Sequence, residues 1–517
     1  MGDLGFWNIA AAHPDRVALV EPDHTEHTAG ELLASCNQVV HALRSFGLDK
    51  GDVVAILMPN CAAFVEVLLA VQQAGWYVVP VNYHLVGPEI AYVINDSEAK
   101  AFITHASFAK ESLRAVEEVS LDPAYRFAIG EIEGFRPYGE LKQGQPTTLP
   151  EDRSAGGLMN YTSGTTGKPK GVKRPLPPID PDTMAELGSF LNLLFNIPAF
   201  EDNVHITVAP LYHTAVGQFT QNALHAGHRV ILMDKWTPEG TLERIDRYKV
   251  TTSHMVPTMF HRLLQLPEPE RARYDVSSLR CVIHSAAPCP VPTKHRMLEW
   301  WGPVIWEYYA ATEGGGTVAN PQDWLARPGT VGNAWPGSEV VILDDEGNDL
   351  PTGQVGTVWM KMGERTFEYH GDKEKTKKSW NDRGFFTVGD AGEMDGDGFL
   401  FLRDRKVDMI IAGGVNIYPA ETESVLLQHP KVGDCAVFGI PDEAMGEAVK
   451  ATVQPAEGVS TDGLEQELID FCLENLAKYK VPRSIDFLDD FPRDPNGKVY
   501  KRKLRDPYWA GRTSQLV

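Results

Sequence analysis

Residues 161–171 read Tyr161-Thr162-Ser163-Gly164-Thr165-Thr166-Gly167-Lys168-Pro169-Lys170-Gly171. This stretch combines three glycines, four serine or threonine hydroxyls and two lysines, and it follows the apolar pair Leu158-Met159. Glycines let backbone N–H groups come close to an anion, hydroxyls add neutral donors, and lysines add positive charge. A run of this kind is most often a plain loop, but the two lysines favour a site for the phosphates of a nucleotide. It is not a Walker A loop, because Pro169 stands where that motif requires Ser or Thr.

The stretch resembles the signature loop of the acyl-adenylate-forming superfamily, which comprises acyl- and aryl-CoA synthetases, beetle luciferases and the adenylation domains of nonribosomal peptide synthetases. The reaction that this resemblance implies joins a carboxylate to the α-phosphate of ATP, expels pyrophosphate, and lets the thiol of coenzyme A attack the acyl-adenylate. Because attacker and phosphate are both negative, such catalysis needs cations and positioning, and Mg²⁺ is expected. The resemblance assigns the binding of ATP in this loop to Thr162, Ser163, Gly164, Thr165, Thr166, Gly167, Lys168 and Lys170.

A second motif, Tyr308-Tyr309-Ala310-Ala311-Thr312-Glu313, is similar to the family's Tyr-Gly-x-Thr-Glu. Carried over to this sequence, Tyr309 packs on adenine and Thr312 bonds a phosphate. Glu313 and Thr162 would hold the Mg²⁺. Ala310 stands where the family usually has glycine, so an ordinary backbone φ is expected there.

Two more segments resemble parts of the family that contact the nucleoside. Gly384-Phe385-Phe386-Thr387-Val388-Gly389-Asp390 is similar to the motif whose aspartate accepts hydrogen bonds from both ribose hydroxyls, which assigns that role to Asp390. Arg405 falls where the family has a second ribose or phosphate contact. The small residues Ser285, Ala286 and Ala287 resemble the turn that borders adenine.

The C-terminal region supplies the remaining parts. Pro492-Arg493-Asp494-Pro495-Asn496-Gly497-Lys498-Val499 resembles the motif that carries the adenylation lysine, so Lys498 is expected to bridge the substrate carboxylate and the α-phosphate. Gly413 and Gly414 match the glycine-rich loop that enters the site for the thioester-forming step. In the family the small domain rotates between an adenylating and a thioester-forming pose, and Val407 stands at the pivot position, where Asp or Lys is usual.

The acyl group is the least determined part of the prediction. Adenylation domains of peptide synthetases commonly place an aspartate near the segment that holds His213, and no acidic residue occurs here between Asn203 and Gln221. An uncharged, hydrophobic carboxylate is therefore preferred over an amino acid. The candidates for the substrate pocket, each of which could equally be general core, are His213, Met255, Met259 and His284.

Length and pattern predict the architecture. At 517 residues the chain is too long for one core. Helix and strand patterns alternate over residues 15–110 and again after the loop, which is typical of doubly wound α/β sheets. Short strands with glycine turns from Gly329 onward indicate a β-rich subdomain. The prediction is a large N-terminal domain, residues 1–404, followed by a small, mobile α+β domain, residues 405–517.

Composition limits the partners. The net charge of −22 argues against a nucleic-acid surface and requires that an anion be met by local positive charge. The six cysteines show no metal-binding spacing and indicate free thiols in a reducing compartment. No signal peptide or membrane span is apparent, so the cytoplasm is expected, and a homodimer is left open.

Together these motifs predict an ATP-dependent acyl-CoA synthetase. One alternative is a stand-alone adenylation enzyme that loads the thiol of a carrier protein. Another is a nucleotide-binding protein that has lost catalysis, which the presence of Lys498, Glu313 and Asp390 disfavours.

Overall fold

The structure is a computed structural model of the chain. It describes residues 4–162, 170–200, 202–286, 289, 291–311, 314–344, 346–363, 367–369, 373–402, 410–417, 419–456, 458–492 and 501–510.

The described strands, in chain order, are β1 (Val17–Val20), β2 (Glu26–Thr28), β3 (Val53–Leu57), β4 (Tyr77–Pro80), β5 (Ala101–His105), β6 (Arg126–Ile129), β7 (Arg136–Pro137), β8 (Gly157–Leu158), β9 (Asn160–Thr162), β10 (Lys170–Lys173), β11 (Val204–Thr207), β12 (Arg229–Leu232), β13 (Thr252–Met255), β14 (Cys281–His284), β15 (Ile305–Ala310), β16 (Gly316–Ala319), β17 (Asn333–Ala334), β18 (Ser338–Leu343), β19 (Gly356–Met362), β20 (Glu368–Tyr369), β21 (Ala391–Met394), β22 (Leu400–Leu402), β23 (Ile410–Ala412), β24 (Val415–Ile417), β25 (Val432–Asp442), β26 (Gly446–Pro455) and β27 (Ser484–Phe487).

The described α-helices are α1 (Phe6–Ala12), α2 (Ala29–Ser45), α3 (Ala62–Ala74), α4 (Gly87–Asp96), α5 (Ala109–Val116), α6 (Pro181–Leu194), α7 (Thr214–His225), α8 (Pro238–Tyr248), α9 (Pro257–Gln265), α10 (Glu268–Arg271), α11 (Val291–Trp301), α12 (Pro321–Ala326), α13 (Lys373–Lys378), α14 (Pro419–Leu426), α15 (Leu464–Asn475) and α16 (Lys501–Trp509). Short 3₁₀ turns occur between them, one of which spans Lys478–Lys480.

Two sheets, parallel except at the edges of the first, form the body of the N-terminal part, by which we mean described residues 4–402. The first has the strand order β17-β16-β15-β14-β13-β11-β12-β1-β2, and the second has the order β7-β6-β5-β3-β4-β8. Parallel strands are buried on both faces and therefore read as continuous apolar runs, as in Val53-Val54-Ala55-Ile56-Leu57, where every residue is buried.

One hydrophobic core joins these two sheets through α2 and α3. Helix α2 begins at a capping box, in which Thr28 Oγ1 accepts from Glu31 N and Glu31 Oε2 accepts from Thr28 N. Helix α3 ends at Gly75, whose φ of 77° is the left-handed conformation that glycine adopts at little cost. These local signals determine where α2 starts and where α3 ends. The end of α3 in turn determines where the next strand, β4, begins.

Three smaller sheets complete the molecule. The orders are β18-β19-β21-β22 and β20-β10-β9 in the N-terminal part, and β24-β23-β26-β25, with β27 parallel to β26, in described residues 410–510. We call residues 410–510 the C-terminal unit. Helices α14, α15 and α16 pack with its sheet, so it is an α+β unit with a hydrophobic core of its own.

The predicted α/β class with a large N-terminal domain and a small C-terminal domain is confirmed. The boundary predicted between residues 404 and 405 lies outside the described residues and stays a prediction. All six cysteines are free thiols. In the described part of the chain, no helix combines the length and the apolar character that a membrane span requires.

Candidate functional site

The carboxyl ends of three adjacent parallel strands meet at one edge of the first sheet. Strands β13, β14 and β15 are in parallel register, with Met255 opposite His284 and His284 opposite Glu307. Ser285 and Ala286 directly follow β14, and Val256 follows β13. Ligands of open α/β sheets bind beyond such carboxyl ends, so this edge is the candidate active site.

Tyr309 and Asp390, which the sequence assigned to adenine and ribose, are in direct contact. The Tyr309 hydroxyl donates to Asp390 Oδ2 at 2.8 Å. Tyr309 lies on β15 and Asp390 precedes β21, so the bond joins the first sheet to the β-rich region. Asp390 is only 6% exposed. Two residues 81 positions apart are thus brought to one point at the edge of the sheet.

The turn before Asp390 is held by its own hydrogen bonds. The Thr387 hydroxyl donates to Val358 O at 2.8 Å and accepts from Gly389 N at 3.0 Å. Gly389 has a φ of 84°, which glycine tolerates. The bonds to Thr387 therefore fix the turn that presents the Asp390 carboxylate.

Ala286, assigned to the turn that borders adenine, has a φ of 73°. A left-handed conformation is uncommon for a residue with a Cβ, and such strained positions cluster at ligand sites. Ala310, by contrast, does not have a positive φ, as we expected for an alanine at a position where the family usually has glycine. Of the two alanines, it is therefore Ala286, next to the strand ends, that has the strained backbone.

A buried polar group lies beside this turn. His254 Nε2 is 3.0 Å from Ser285 Oγ and 3.4 Å from the Tyr308 hydroxyl, and the ring of Phe219 stacks on His254 with 5.1 Å between centroids. Burial lowers the pKa of His254 to about 3, so its imidazole is neutral. Sequence reasoning missed His254, because a histidine inside a short strand pattern carries no sign of its neighbours.

The four predicted pocket residues occupy two different environments. His213 is partly exposed just before α7, and burial lowers its pKa to about 4. Met255, Met259 and His284 are buried, and both methionines belong to the main hydrophobic core. Their role in binding an acyl group stays a prediction.

His284 belongs to a charged group on this sheet, which we call the core cluster and define as His284, Lys294 and Glu307. Lys294 Nζ is 2.6 Å from Glu307 Oε2, and His284 Nε2 is 3.4 Å from the same oxygen. Burial and Lys294 both lower the pKa of His284. The neutral imidazole therefore lies against a buried ion pair.

The predicted phosphate loop connects two described antiparallel strands. Thr162 of β9 pairs with Lys170 of β10. The Tyr161 hydroxyl at the start of this segment donates to Asp96 Oδ2 at 2.7 Å, which ties β9 to α4. Strands β9 and β10 therefore pair antiparallel on either side of residues 163–169, which lie outside the described residues.

Several predicted site residues lie outside the described residues, and their roles stay predictions: Ser163, Gly164, Thr165, Thr166, Gly167, Lys168, Ala287, Thr312, Glu313, Arg405 and Lys498. Over the described ranges, no group of three or more His, Cys, Asp or Glu side chains could hold a metal ion. Mg²⁺ at a nucleotide takes only one or two carboxylates, with phosphate oxygens as further ligands. A magnesium site at Glu313 and Thr162 accordingly stays a prediction.

The glycine pair of the C-terminal unit faces the same sheet edge. Gly413 and Gly414 have φ values of 58° and 78° and form the turn between β23 and β24. A Cβ placed on Gly414 would lie 3.7 Å from the Cβ of Val256, the residue after β13. The turn therefore packs against the N-terminal part beside the candidate active site.

Two family descriptions match the chain. "AMP-binding enzyme" covers residues 6–368, and "AMP-binding enzyme C-terminal domain" covers residues 421–498. A feruloyl-CoA synthase from Amycolatopsis sp is 32% identical over 510 residues, which are 97% of this chain and 98% of the relative.

Two enzymes of solved structure are similar over nearly the whole chain. The amide bond synthetase McbA from Marinactinospora thermotolerans has a TM-score of 0.86 at 29% identity, with 98% of this chain and 100% of that chain covered. A double mutant of o-succinylbenzoate CoA synthetase from Bacillus subtilis, bound to the product analogue OSB-NCoA, has a TM-score of 0.82. The same enzyme with the acyl-adenylate intermediate OSB-AMP scores 0.67, and both complexes match at 29% identity over 97% of this chain and 98% of theirs.

Proposed function

This chain belongs to the family of AMP-binding enzymes and is an acid–thiol ligase of that family, and from this premise we propose that it activates a hydrophobic carboxylic acid with ATP and transfers the acyl group to coenzyme A. The first half-reaction forms an acyl-adenylate and pyrophosphate. The second forms a thioester and releases AMP. The unpaired cysteines support a reducing compartment, the cytoplasm, as the place of the reaction.

The contact between Tyr309 and Asp390 is the observation that carries the proposal. A tyrosine ring offers a flat face for adenine, and a carboxylate next to it offers acceptors for ribose hydroxyls. A carboxylate has about four lone-pair positions and can accept from several donors at once, so a bond from Tyr309 is compatible with bonds from ribose hydroxyls. The 2.8 Å bond would hold the carboxylate in one orientation.

Adenylation requires that two anions approach each other. We assign the β- and γ-phosphates to the connection between β9 and β10, which carries Lys168, and to Lys170 at the start of β10. Lys498 would lie between the substrate carboxylate and the α-phosphate, where its charge offsets the repulsion. A Mg²⁺ held by Glu313 and Thr162 would supply further positive charge on the phosphates when bound.

The acyl-transfer step needs a different group near the acyl carbon. We assign that role to the C-terminal unit, whose Gly413-Gly414 turn packs beside Val256, and we propose residue 405 as the start of the domain that contains it. Glycines leave room for the pantetheine arm of coenzyme A to pass close to the backbone. The thiolate attacks the acyl carbonyl, and AMP leaves with the bonding electrons of the acyl–oxygen bond.

The proposed acid is hydrophobic because the segment before and within α7 offers no charged partner. His213 is neutral at physiological pH, since burial holds its pKa at about 4. The segment 204–220 has no acidic or basic side chain other than histidine. A substrate with a free amino group or a second carboxylate would lack a counter-charge there.

Pyrophosphate release from a panel of acids tests the proposal. The panel contains ferulate, a long-chain fatty acid, o-succinylbenzoate and an amino acid, each incubated with ATP and Mg²⁺, and coenzyme A is then added and thioester measured. We expect release with at least one hydrophobic acid and none with the amino acid. If pyrophosphate is released and no thioester with coenzyme A forms, but the acyl group passes to a carrier-protein thiol, the carrier protein is the acceptor instead of coenzyme A. If no acid gives pyrophosphate release, the proposal is overturned.

Asp390→Ala provides a residue-level check. We expect a loss of pyrophosphate release of about 100-fold, since a charge-assisted contact with each ribose hydroxyl is removed. Asp382→Asn is the matched control, because Asp382 is an exposed carboxylate on the same segment. Equal activity of the two variants would contradict the assignment of Asp390.

An amine is a second candidate acceptor, favoured by the TM-score of 0.86 to an amide bond synthetase. The same assay with a hydrophobic primary amine in place of coenzyme A tests it. Amide formation that exceeds thioester formation would make the amine the principal acceptor.

A further inference from the structure

Three charged side chains, two of them buried and one partly buried, lie together where the C-terminal unit meets the N-terminal part. Lys480 Nζ is 2.7 Å from Glu421 Oε2 and 3.0 Å from Glu89 Oε1. The Lys480 and Glu421 side chains are 4% and 3% exposed, and that of Glu89 is 13% exposed. We call this group the junction cluster. Glu89 belongs to α4 of the N-terminal part, whereas Lys480 and Glu421 belong to the C-terminal unit.

Glu89 contacts the C-terminal unit with both carboxylate oxygens. Its Oε2 accepts from Ala477 N at 3.1 Å, while Oε1 accepts from Lys480. The same Oε2 also accepts from Val86 N at the start of α4. One carboxylate therefore ties the first turn of a helix in one part to the segment Ala477–Lys480 of the other.

The surrounding contacts place this segment firmly against the N-terminal part. Ala477 is fully buried in a hydrophobic cluster with residues of β3, β4 and α4. Asn82 Nδ2 donates to the Tyr479 hydroxyl at 3.0 Å, and the rings of Tyr479 and His84 lie 6.1 Å apart, edge to face. The junction cluster is thus the charged centre of a docked interface.

The charges of the cluster allow this docking to be reversible. If the C-terminal unit moves away from Glu89, Lys480 still has Glu421 of its own unit as a partner, so no buried charge is left alone. Orphaned buried charges are what make the breaking of an ion pair costly. Glu89, in turn, lies at the surface of the N-terminal part once the unit leaves, where water can solvate it.

The docked arrangement is also the one in which the Gly413-Gly414 turn reaches Val256. The two complexes of o-succinylbenzoate CoA synthetase match this chain with equal identity and coverage. The TM-score is nevertheless 0.82 for the complex with OSB-NCoA and 0.67 for the complex with OSB-AMP. The described structure as a whole is therefore more similar to the complex with the CoA-type product analogue than to the complex with OSB-AMP.

We propose that Glu89 is a positioning residue, which holds the C-terminal unit docked through Ala477 and Lys480, and that it acts on acyl transfer to the thiol but not on adenylation. This proposal rests on the proposed function, because it needs both half-reactions. Glu89 bonds Ala477 and Lys480 across the interface and is not among the residues assigned to the nucleotide or the acyl group. It acts through the position of the Gly413-Gly414 turn.

Separate measurement of the two half-reactions tests the proposal on the full chain. Adenylation is followed by ATP–pyrophosphate exchange with the acid that gives the fastest release. Transfer is followed by thioester formation from the preformed acyl-adenylate and coenzyme A. For Glu89→Gln we expect transfer to fall about tenfold or more, since a charge-assisted bond across the interface is lost, and adenylation to change by less than about threefold.

Two further variants keep the test decisive. Glu66→Gln is the matched control, because Glu66 is a buried carboxylate that bonds Tyr138 and Lys142 wholly inside the N-terminal part; it should leave the ratio of the two rates unchanged. Asn82→Ala removes the neutral bond to Tyr479 and should lower transfer in the same direction, but less. If Glu89→Gln lowers both rates equally, or neither, in a protein with an intact thermal transition, the proposal is overturned.

The wild-type chain separates this proposal from the proposed function. Without pyrophosphate exchange for any acid, or without thioester from the preformed adenylate, the proposed function fails before any variant is made, and the positioning role fails with it. If the wild-type chain performs both half-reactions, the ratio of the transfer rate to the adenylation rate in Glu89→Gln decides whether Glu89 has the positioning role.

Discussion

Lys294 of the core cluster and Lys480 of the junction cluster are both nearly inaccessible to water, yet the two sites shift the pKa of the lysine in opposite directions. Lys294 faces one carboxylate, Glu307, and burial lowers its pKa even so. Lys480 faces two carboxylates; burial again lowers its pKa, but Glu89 and Glu421 outweigh burial and raise it above the ordinary value. The number of partners, rather than the depth of burial, decides the direction.

The two clusters also differ in what connects their members. Lys294 and Glu307 lie on α11 and β15, which pack together in one hydrophobic body, so the pair can separate only if that body unfolds. In the junction cluster one partner, Glu89, belongs to the other side of an interface. The same residue types thus serve as a permanent part of a core in one place and as a separable contact in the other.

Lys294→Met is the variant with the largest expected effect. It leaves the Glu307 carboxylate buried next to a neutral imidazole, and breaking a buried pair in this way costs about 3–5 kcal/mol of unfolding free energy. Urea unfolding followed by fluorescence measures the loss. The control is Lys249→Met, because Lys249 is an exposed lysine that also pairs with acidic side chains, Asp246 and Asp275, and should change little. A similar result for both lysines would remove the distinction between the core cluster and a surface pair.

Lys480→Met should cost less, about 2 kcal/mol in the unfolding of the C-terminal unit. Burial already raises the pKa of Glu421, so this carboxyl can take up a proton when its partner is lost. Glu89 can be solvated if the unit undocks. A loss as large as that of Lys294→Met would show that the junction cluster is as permanent as the core cluster.

Neither cluster was predictable from the sequence, although most of the architecture was. Alternating apolar runs predicted the α/β sheets because parallel strands are buried on both faces and crossover helices are amphipathic. Caps such as Thr28 with Glu31 follow local rules. The position of Lys480 follows none: a lysine in a Lys-Tyr-Lys turn reads as surface, and its burial depends on α4, nearly 400 positions earlier in the chain.

The candidate site likewise has features that the sequence predicted and contacts that it did not. The motif around Tyr309 and the turn before Asp390 were recognised through their resemblance to the family's motifs, each of which is one contiguous stretch of sequence. Their 2.8 Å contact was not foreseen, since nothing in either segment states its distance to the other. His254 was missed for the same reason: its partners Ser285 and Tyr308 come from two other strands.

A double-mutant cycle measures how far Glu89 and Lys480 depend on each other. We expect a coupling of about 1 kcal/mol between Glu89→Gln and Lys480→Met in unfolding free energy, because Glu89 keeps some access to water and Lys480 keeps Glu421. The corresponding cycle of Glu307→Gln with Lys294→Met should give the larger coupling. Zero coupling at the junction cluster, with a measurable coupling in the core cluster, would mean that the contact between Glu89 and Lys480 contributes no stability.

The dependence of stability on pH differs in sign between the two clusters. Burial would raise the pKa of Glu307, but Lys294 and His284 overcome it and lower the pKa to about 2. Its stabilisation is therefore complete above the ordinary value of 4.5 and is lost as pH falls toward 2. At Glu421 burial prevails over Lys480 and raises the pKa, so that contribution is complete below 4.5 and is lost as pH rises through the raised value.

Comparing wild type with Glu307→Gln and with Glu421→Gln separates the contributions of Glu307 and Glu421 to the pH dependence of stability from those of the other carboxylates. On going from about pH 6 to about pH 3, the advantage of wild type over Glu307→Gln should shrink, whereas the stability of wild type relative to Glu421→Gln should increase. Urea unfolding at both pH values supplies the two differences. If both stability differences change with the same sign, Lys480 keeps Glu421 ionised just as Lys294 keeps Glu307 ionised. The two clusters would then differ only in whether their members belong to one part of the molecule or to two.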